Sequence, residues 1–222
     1  MTTPTDLTPV LGFLAELQEH NNRPWFEKNR PAYEQAKAQF EAFVERLIQG
    51  ISAFEDLSGV TARDCVLRIY RDIRFSKDKS PYRTNMSADI TPGGRKSGRL
   101  GYYIHVAPHG ESFLGGGLYM PDPRQLARFR SAIDRDASRF KATVNAKEFK
   151  RQFGMLSGEK LKTAPQGYSQ DHPEIEILRL KQILAGRQWP DAVVLSSRFP
   201  SQVVASARAL KPLLDYLNED VS

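Results

Sequence analysis

The densest chemistry in the chain lies in Arg68-Ile69-Tyr70-Arg71-Asp72-Ile73-Arg74-Phe75-Ser76-Lys77-Asp78-Lys79-Ser80-Pro81-Tyr82-Arg83-Thr84. Apolar and polar residues alternate from Val66 to Phe75, which predicts a strand with Leu67, Ile69, Ile73 and Phe75 on one side. On that pattern Arg68, Asp72 and Arg74 stand in a row on the opposite face. Two guanidiniums beside one carboxylate either close a structural ion pair or keep donors free for a phosphate or carboxylate, which their planar fork suits. Lys77 and Lys79 follow in a polar turn, and Tyr82, Arg83 and Thr84 add further donors. Arg71 falls on the apolar side. A charge there must be paired to be buried, through a bulge or a remote acid, and Asp64 and Asp89 are the candidates. The candidate ligand-binding residues are therefore Arg68, Arg71, Asp72, Arg74, Lys77, Lys79, Tyr82 and Arg83.

The charge balance points to the same stretch. The 222 residues carry a net charge of +6, and the segment from Thr61 to Arg99, with ten basic and four acidic side chains, holds all of it. An excess so placed favours an anionic partner: a small phosphorylated or carboxylated ligand, nucleic acid, or an acidic protein. For nucleic acid, Tyr70, Phe75, Tyr82, Tyr102 and Tyr103 are the rings available for stacking, although no helix-turn-helix, zinc finger or RRM-type motif accompanies them.

Before that segment, the N-terminal third reads as helical. Thr8-Pro9 fits an N-cap followed by proline at the first helical position, and Val10, Leu11, Leu14 and Leu17 recur at helical spacing. His20-Asn21-Asn22-Arg23-Pro24 breaks that helix and Trp25-Phe26 begins a short turn. Pro31 then opens a long helix with Tyr33, Ala36, Phe40, Phe43, Val44, Leu47, Ile48 and Ile51 on one stripe. Further strands are predicted at Met86–Ile90, Gly101–Ala107 and Ser112–Tyr119. The Pro92-Gly93-Gly94 and Pro108-His109-Gly110 turns between them are short enough to require antiparallel pairing. Helices return from Asp122-Pro123, with stripes through Leu126, Phe129 and Ile133, and through Phe149 and Phe153. A charged helix is expected from Pro173 to Leu180, a short strand at Val193–Leu195, and a last helix from Pro200 through Leu217. Helices, a meander and helices again make one α+β domain over residues 7–220, its mainly antiparallel sheet flanked by N-terminal and C-terminal helices.

Asn21 through Arg30 has the polar content of a helix junction, with Trp25 and Phe26 in the core; the alternative places Asn22, Arg23 and Arg30 in the same cleft as the basic strand. Gly115-Gly116-Gly117 lacks the Lys-Ser/Thr of a P-loop and fits a bulge or the close approach of a side chain such as a tyrosine. It is also expected to border the cleft. His105 and His109 lack the helical spacing of a zinc motif, and no metal is expected. Asp72 and Asp78 are a conceivable acid–base or metal pair of unconstrained separation. Cys65, the single cysteine, fits a buried inert thiol. No Gly-x-Ser-x-Gly elbow occurs, and no motif names a cofactor or a reaction. No apolar run reaches membrane-span length, and Met1-Thr2-Thr3-Pro4-Thr5-Asp6 lacks a basic, apolar leader, so a cytoplasmic protein is expected.

The combination of Asn21-Asn22-Arg23, Trp25-Phe26, Asn29-Arg30 and Tyr33 with Arg71-Asp72, Arg74-Phe75-Ser76-Lys77-Asp78-Lys79 and Pro81-Tyr82 resembles a widespread bacterial family. Gly101-Tyr102-Tyr103, Gly115-Gly116-Gly117, Tyr119 and Pro121 extend the likeness over nearly the whole chain. That family is the conserved hypothetical proteins with domain of unknown function 2461. The resemblance implies a single-domain cytoplasmic protein and brings no catalytic residue or cofactor with it.

Overall fold

The structure, a computed structural model, describes residues 6–221; residues 1–5, on which the expectation of no leader rests, lie outside them. The first helix, α1 (Thr8–Glu19), buries Val10, Leu11, Phe13, Leu14 and Leu17. Thr8 is its first helical residue rather than its cap, a position that Leu7 takes; Asp6 accepts the Thr8 N–H at 2.9 Å. Asn22 caps α2 (Arg23–Lys28) by accepting the Trp25 N–H. The long α3 (Arg30–Ile51) sinks the predicted stripe from Ala36 to Ile51 into the core. A single turn, α4 (Ala62–Cys65), then leads toward the sheet.

Strands β1 (Met86–Ile90), β2 (Tyr102–Val106), β3 (Ser112–Leu118) and β4 (Ile183–Trp189) form one antiparallel sheet in the order β1-β2-β3-β4. The register pairs Ala88 with Ile104, Ile104 with Leu114 and Gly116 with Ala185. Period-2 alternation therefore lines one face with Met86, Ala88, Ile90, Tyr102, Ile104, Val106, Leu114, Leu118, Ile183 and Ala185, all buried. Tyr103, His105 and Phe113 share the other face and are half-buried. Thus Tyr102 lies in the core and Tyr103, half-buried, on the outer face.

The chain from β3 to β4 makes a helical excursion: α5 (Pro123–Arg135), α6 (Ser138–Asn145), α7 (Lys147–Phe153) and α8 (Ile175–Leu178). After β4 come α9 (Asp191–Val194) and α10 (Phe199–Asp220). α10 lies against β3 and α3. Its approach needs glycine opposite it: a Cβ on Gly116 would sit 2.9 Å from Leu210 Cδ2, and one on Gly50 2.6 Å from Val204 Cγ2. The result is a single α+β domain with helices from both ends of the chain around a four-stranded sheet.

Three elements differ from the sequence-based expectation. Val66–Phe75 is no continuous strand; only Val66, opposite Ala88, and Tyr70, opposite Tyr82, make bridges. Asp72 Oδ1 accepts the Arg74 N–H and Asp78 Oδ1 accepts the Ser80 N–H, so local side-chain bonds take donors that a ladder would need. Phe75, expected on the apolar side, is 95% exposed. Val193–Leu195 lies at the short helix α9 instead of a strand, and the strand is β4, whose Gly186, Arg187 and Gln188 obscure its alternation. The charged helix expected over Pro173–Leu180 shrinks to the single turn α8.

Candidate functional site

The basic segment folds as a two-stranded ribbon closed by a nine-residue loop. Arg71 N–H donates to Pro81 O at 2.9 Å and Arg83 N–H to Ile69 O at 2.7 Å, on either side of the Tyr70–Tyr82 bridge. Two contacts seat the ribbon on the N-terminal helices. Asn21 grips the backbone of Tyr82 at both ends, its Nδ2 donating to Tyr82 O at 3.0 Å and its Oδ1 accepting Tyr82 N–H at 3.1 Å. The Tyr82 ring stacks on Phe26 with centroids 4.0 Å apart and planes 13° from parallel. Both rings are buried, so this stack is the hydrophobic root of the site.

Within the loop, Arg71 acts as a staple. Its guanidinium pairs with Asp78 and donates to Ser80 O at 3.1 Å and Ser76 Oγ at 3.4 Å. Asp78 also accepts both the Ser80 N–H and the Ser80 hydroxyl. The Ser80 donors, with Arg71 behind them, hold the Asp78 carboxyl well below the usual carboxylate range. Arg71 therefore finds its partner inside the loop. The remote acids considered from sequence are otherwise engaged, Asp64 by the Thr61 hydroxyl and Asp89 by the Thr91 hydroxyl. Asp72 pairs with Arg74 through Nε at 3.0 Å and Nη2 at 2.7 Å, and the Arg74 bonds lower its pKa. Lys79 Nζ donates to Ile73 O. Arg68, Lys77 and Arg83 are exposed and make no side-chain hydrogen bond or ion pair among the described residues.

Beside the ribbon lies an open cavity of about 530 Å³. Of the eight candidate residues, Arg71, Asp72, Tyr82 and Arg83 line it, whereas Arg68, Arg74, Lys77 and Lys79 do not. The row of Arg68, Asp72 and Arg74 expected on one strand face is lost because the strand is lost. The remaining lining comes from Gln18 near the end of α1, from Asn21 in the α1–α2 junction, from Asp78 and Ser80 in the loop, and from Thr84 and Asn85 before β1. Asp72 and Asp78 thus do share a site, but each carboxylate is already engaged by an arginine. Asn85 makes no side-chain hydrogen bond, and its Oδ1 is sealed from solvent without a partner. The Asn21 junction is legible in the sequence but its link to Tyr82 is not; Thr84 is marked only as one more donor of the segment, and nothing in the local pattern marks Gln18 or Asn85.

Other sequence motifs fall elsewhere. Asn22 serves as the α2 cap and Arg30 pairs with Glu27, so neither lines this cavity. Gly115, Gly116 and Gly117 do not border it either. They lie where β3 meets β4 and α10; Gly115 faces Tyr103 across the sheet, and its Cβ would lie 3.6 Å from the Phe113 ring. Cys65 is buried, and burial pushes its thiol up to about 11, so it is a poor nucleophile at neutral pH. No cluster of three or more His, Cys, Asp or Glu side chains suited to a metal occurs among the described residues. No described helix is long and apolar enough to cross a membrane.

On the outer sheet face near Arg83, His105 stacks on Phe113 at 4.8 Å, and its Nδ1 lies 3.3 Å from the Tyr103 hydroxyl. Burial lowers the His105 pKa, with Glu111 pulling upward and Arg83 downward. A folded-state pKa below the unfolded value of ~6.5 means the unfolded chain binds the proton more readily. Stability is then fully present above that unfolded value and is lost as pH falls toward the lower folded one. His105→Gln should flatten this slope: its melting temperature is expected to fall less than the wild type's between pH 7.5 and pH 5.5. Parallel melting curves for the two proteins would refute the assignment.

The family profile of the conserved hypothetical proteins DUF2461 matches residues 9–216. The chain belongs to this family. Its matched span takes in all of α1 after Thr8, the ribbon, the whole sheet and most of α10, so the cavity is built from residues within it. No curated protein and no solved structure matches the chain.

Proposed function

We propose that this DUF2461 protein binds a small ligand bearing a carboxylate or phosphate group in the cavity beside the ribbon. The observation that carries the reading is Arg83: it is a cation lining the cavity that has no carboxylate partner among the described residues. Arg71 stands beside it, its position fixed by Asp78 and Ser80, so an arriving anion meets one free guanidinium and one already positioned. The cavity volume falls within the ~300–1,000 Å³ typical of small-molecule sites.

A thermal-shift and calorimetric screen with monocarboxylates and phosphate monoesters tests this. Arg83→Ala is expected to weaken whichever anion binds by roughly 10- to 100-fold, as loss of a hydrogen bond to a charged group of ~1.5–3 kcal/mol implies. Lys77→Ala, outside the cavity, is expected to leave affinity unchanged. A screen without a binder, or equal affinity in Arg83→Ala, would refute the proposal.

A second reading draws on the loop apex, where exposed Phe75 stands near the unpaired Lys77, with Arg68 also free. These groups suit an anionic macromolecule, either nucleic acid or an acidic protein. For nucleic acid the set of stacking rings is smaller than the sequence suggests, since Tyr82 and Tyr102 are buried. Binding through phosphates would weaken steeply with salt; affinity that stays flat as salt rises would remove the nucleic-acid form.

A further inference from the structure

Resting on the anion reading above, we infer that the cavity takes a zwitterion of the amino-acid class, a ligand with one carboxylate and one protonated amine. Two guanidiniums, Arg71 and Arg83, and two carboxylates, Asp72 and Asp78, line the same space; Arg71 pairs with Asp78 and Arg74, from outside the lining, with Asp72, so Arg83 is the one charge left over and the carboxylates stand beside it with part of their acceptor capacity unused. A bare anion drawn to Arg83 would also face both carboxylates. A ligand carrying both charges satisfies both.

The hydrogen-bond inventory agrees. One guanidinium, Arg83, is unneutralised, which matches a single negative charge better than a phosphate dianion. An ionised carboxylate offers about four acceptor sites. Asp72 accepts the Arg74 N–H and Nε on Oδ1 and Nη2 on Oδ2; Asp78 accepts both Ser80 donors on Oδ1 and Arg71 on Oδ2. Each therefore retains acceptor capacity on Oδ2. Asn85 supplies a third acceptor. No hydrogen bond holds its amide, so its soft terminal torsion can turn Oδ1 toward the cavity. Three acceptors are what an ammonium group, with its three N–H donors and no acceptor, requires.

The test compares matched compounds by calorimetry on the full chain. L-amino acids are run beside their des-amino acids (propionate for alanine, glutarate for glutamate, 3-phenylpropionate for phenylalanine) and beside the corresponding amines. The amino acid that binds best is expected to bind at least tenfold tighter than its des-amino acid and its amine. Asp72→Asn should erase the preference over the des-amino acid, whereas Arg83→Ala should erase the preference over the amine. Melting curves confirm that both variants fold, and Asn85→Leu provides a second acceptor-side variant. Equal binding of amino acid and des-amino acid would overturn this inference and leave the anion reading standing. Equal binding of amino acid and amine would overturn the carboxylate form of the anion reading as well; the absence of any binder among these compounds would overturn this inference and leave the anion reading to the phosphate monoesters of the first screen.

Discussion

Phe26→Ala is expected to lower the unfolding free energy by about 3–5 kcal/mol, the range for deleting a buried phenylalanine. Phe26 is fully buried, and besides its stack on Tyr82 it meets Phe13 edge-on at 6.1 Å and Tyr33 at 5.0 Å. No neighbour can collapse into the gap easily, because α1, α2, α3 and the ribbon all converge there. Urea denaturation followed by fluorescence reads the loss. The substitution should also loosen the site, since Tyr82 would keep only the Asn21 clamp as its seat on the helices. A loss under 1 kcal/mol would mean that the ribbon does not depend on this stack.

Gly117→Ala is expected to be comparably damaging by a different route. Gly117 sits at φ +123, where an L-residue is strained, and a Cβ there would lie 2.0 Å from the Ile183 carbonyl oxygen of the facing strand. The backbone conformation alone costs about 1–3 kcal/mol. The contact adds to that, because the obstacle is backbone and cannot rotate away. The pairing of Gly117 with Leu184 must therefore shift, pulling on the β3–β4 register. Gly186→Ala is the matched control. It has ordinary backbone geometry, and its closest approach is 3.4 Å, to Leu114 O; its unfolding free energy should stay within about 0.5 kcal/mol of wild type. Equal stability of the two variants in urea would refute the argument.

These two sites differ in how far the sequence announces them. Trp25-Phe26 reads as core because two large rings sit between polar capping residues, but nothing local says that Tyr82 is the ring Phe26 meets. The glycine run reads as a close approach, which holds, yet its neighbours turn out to be α10, β4 and the Phe113 ring. The basic segment shows the same division more sharply. Its concentration of charge is plain in the sequence, and four of its eight candidates line the cavity. The alternation from Val66 to Phe75 nevertheless misleads, because Asp72 and Asp78 bond to the backbone two residues on and turn the chain out of a ladder.

The helical stripes of α1, α3 and α10, the first three strands of the sheet with their antiparallel order, and the α+β class are all legible from local sequence. Each depends on periodicity within a few turns or on a short connection, so neighbouring residues carry the whole signal. The folded chain adds that β4 joins β3, that Arg71 pairs with Asp78, and that Asn21 reaches Tyr82 across 61 residues of chain. The β3–β4 pairing and the Asn21–Tyr82 contact depend on which distant segments the packing brings within bonding distance, and the Arg71–Asp78 pair on how the loop turns back on itself. A side chain's own neighbours in sequence carry no record of that.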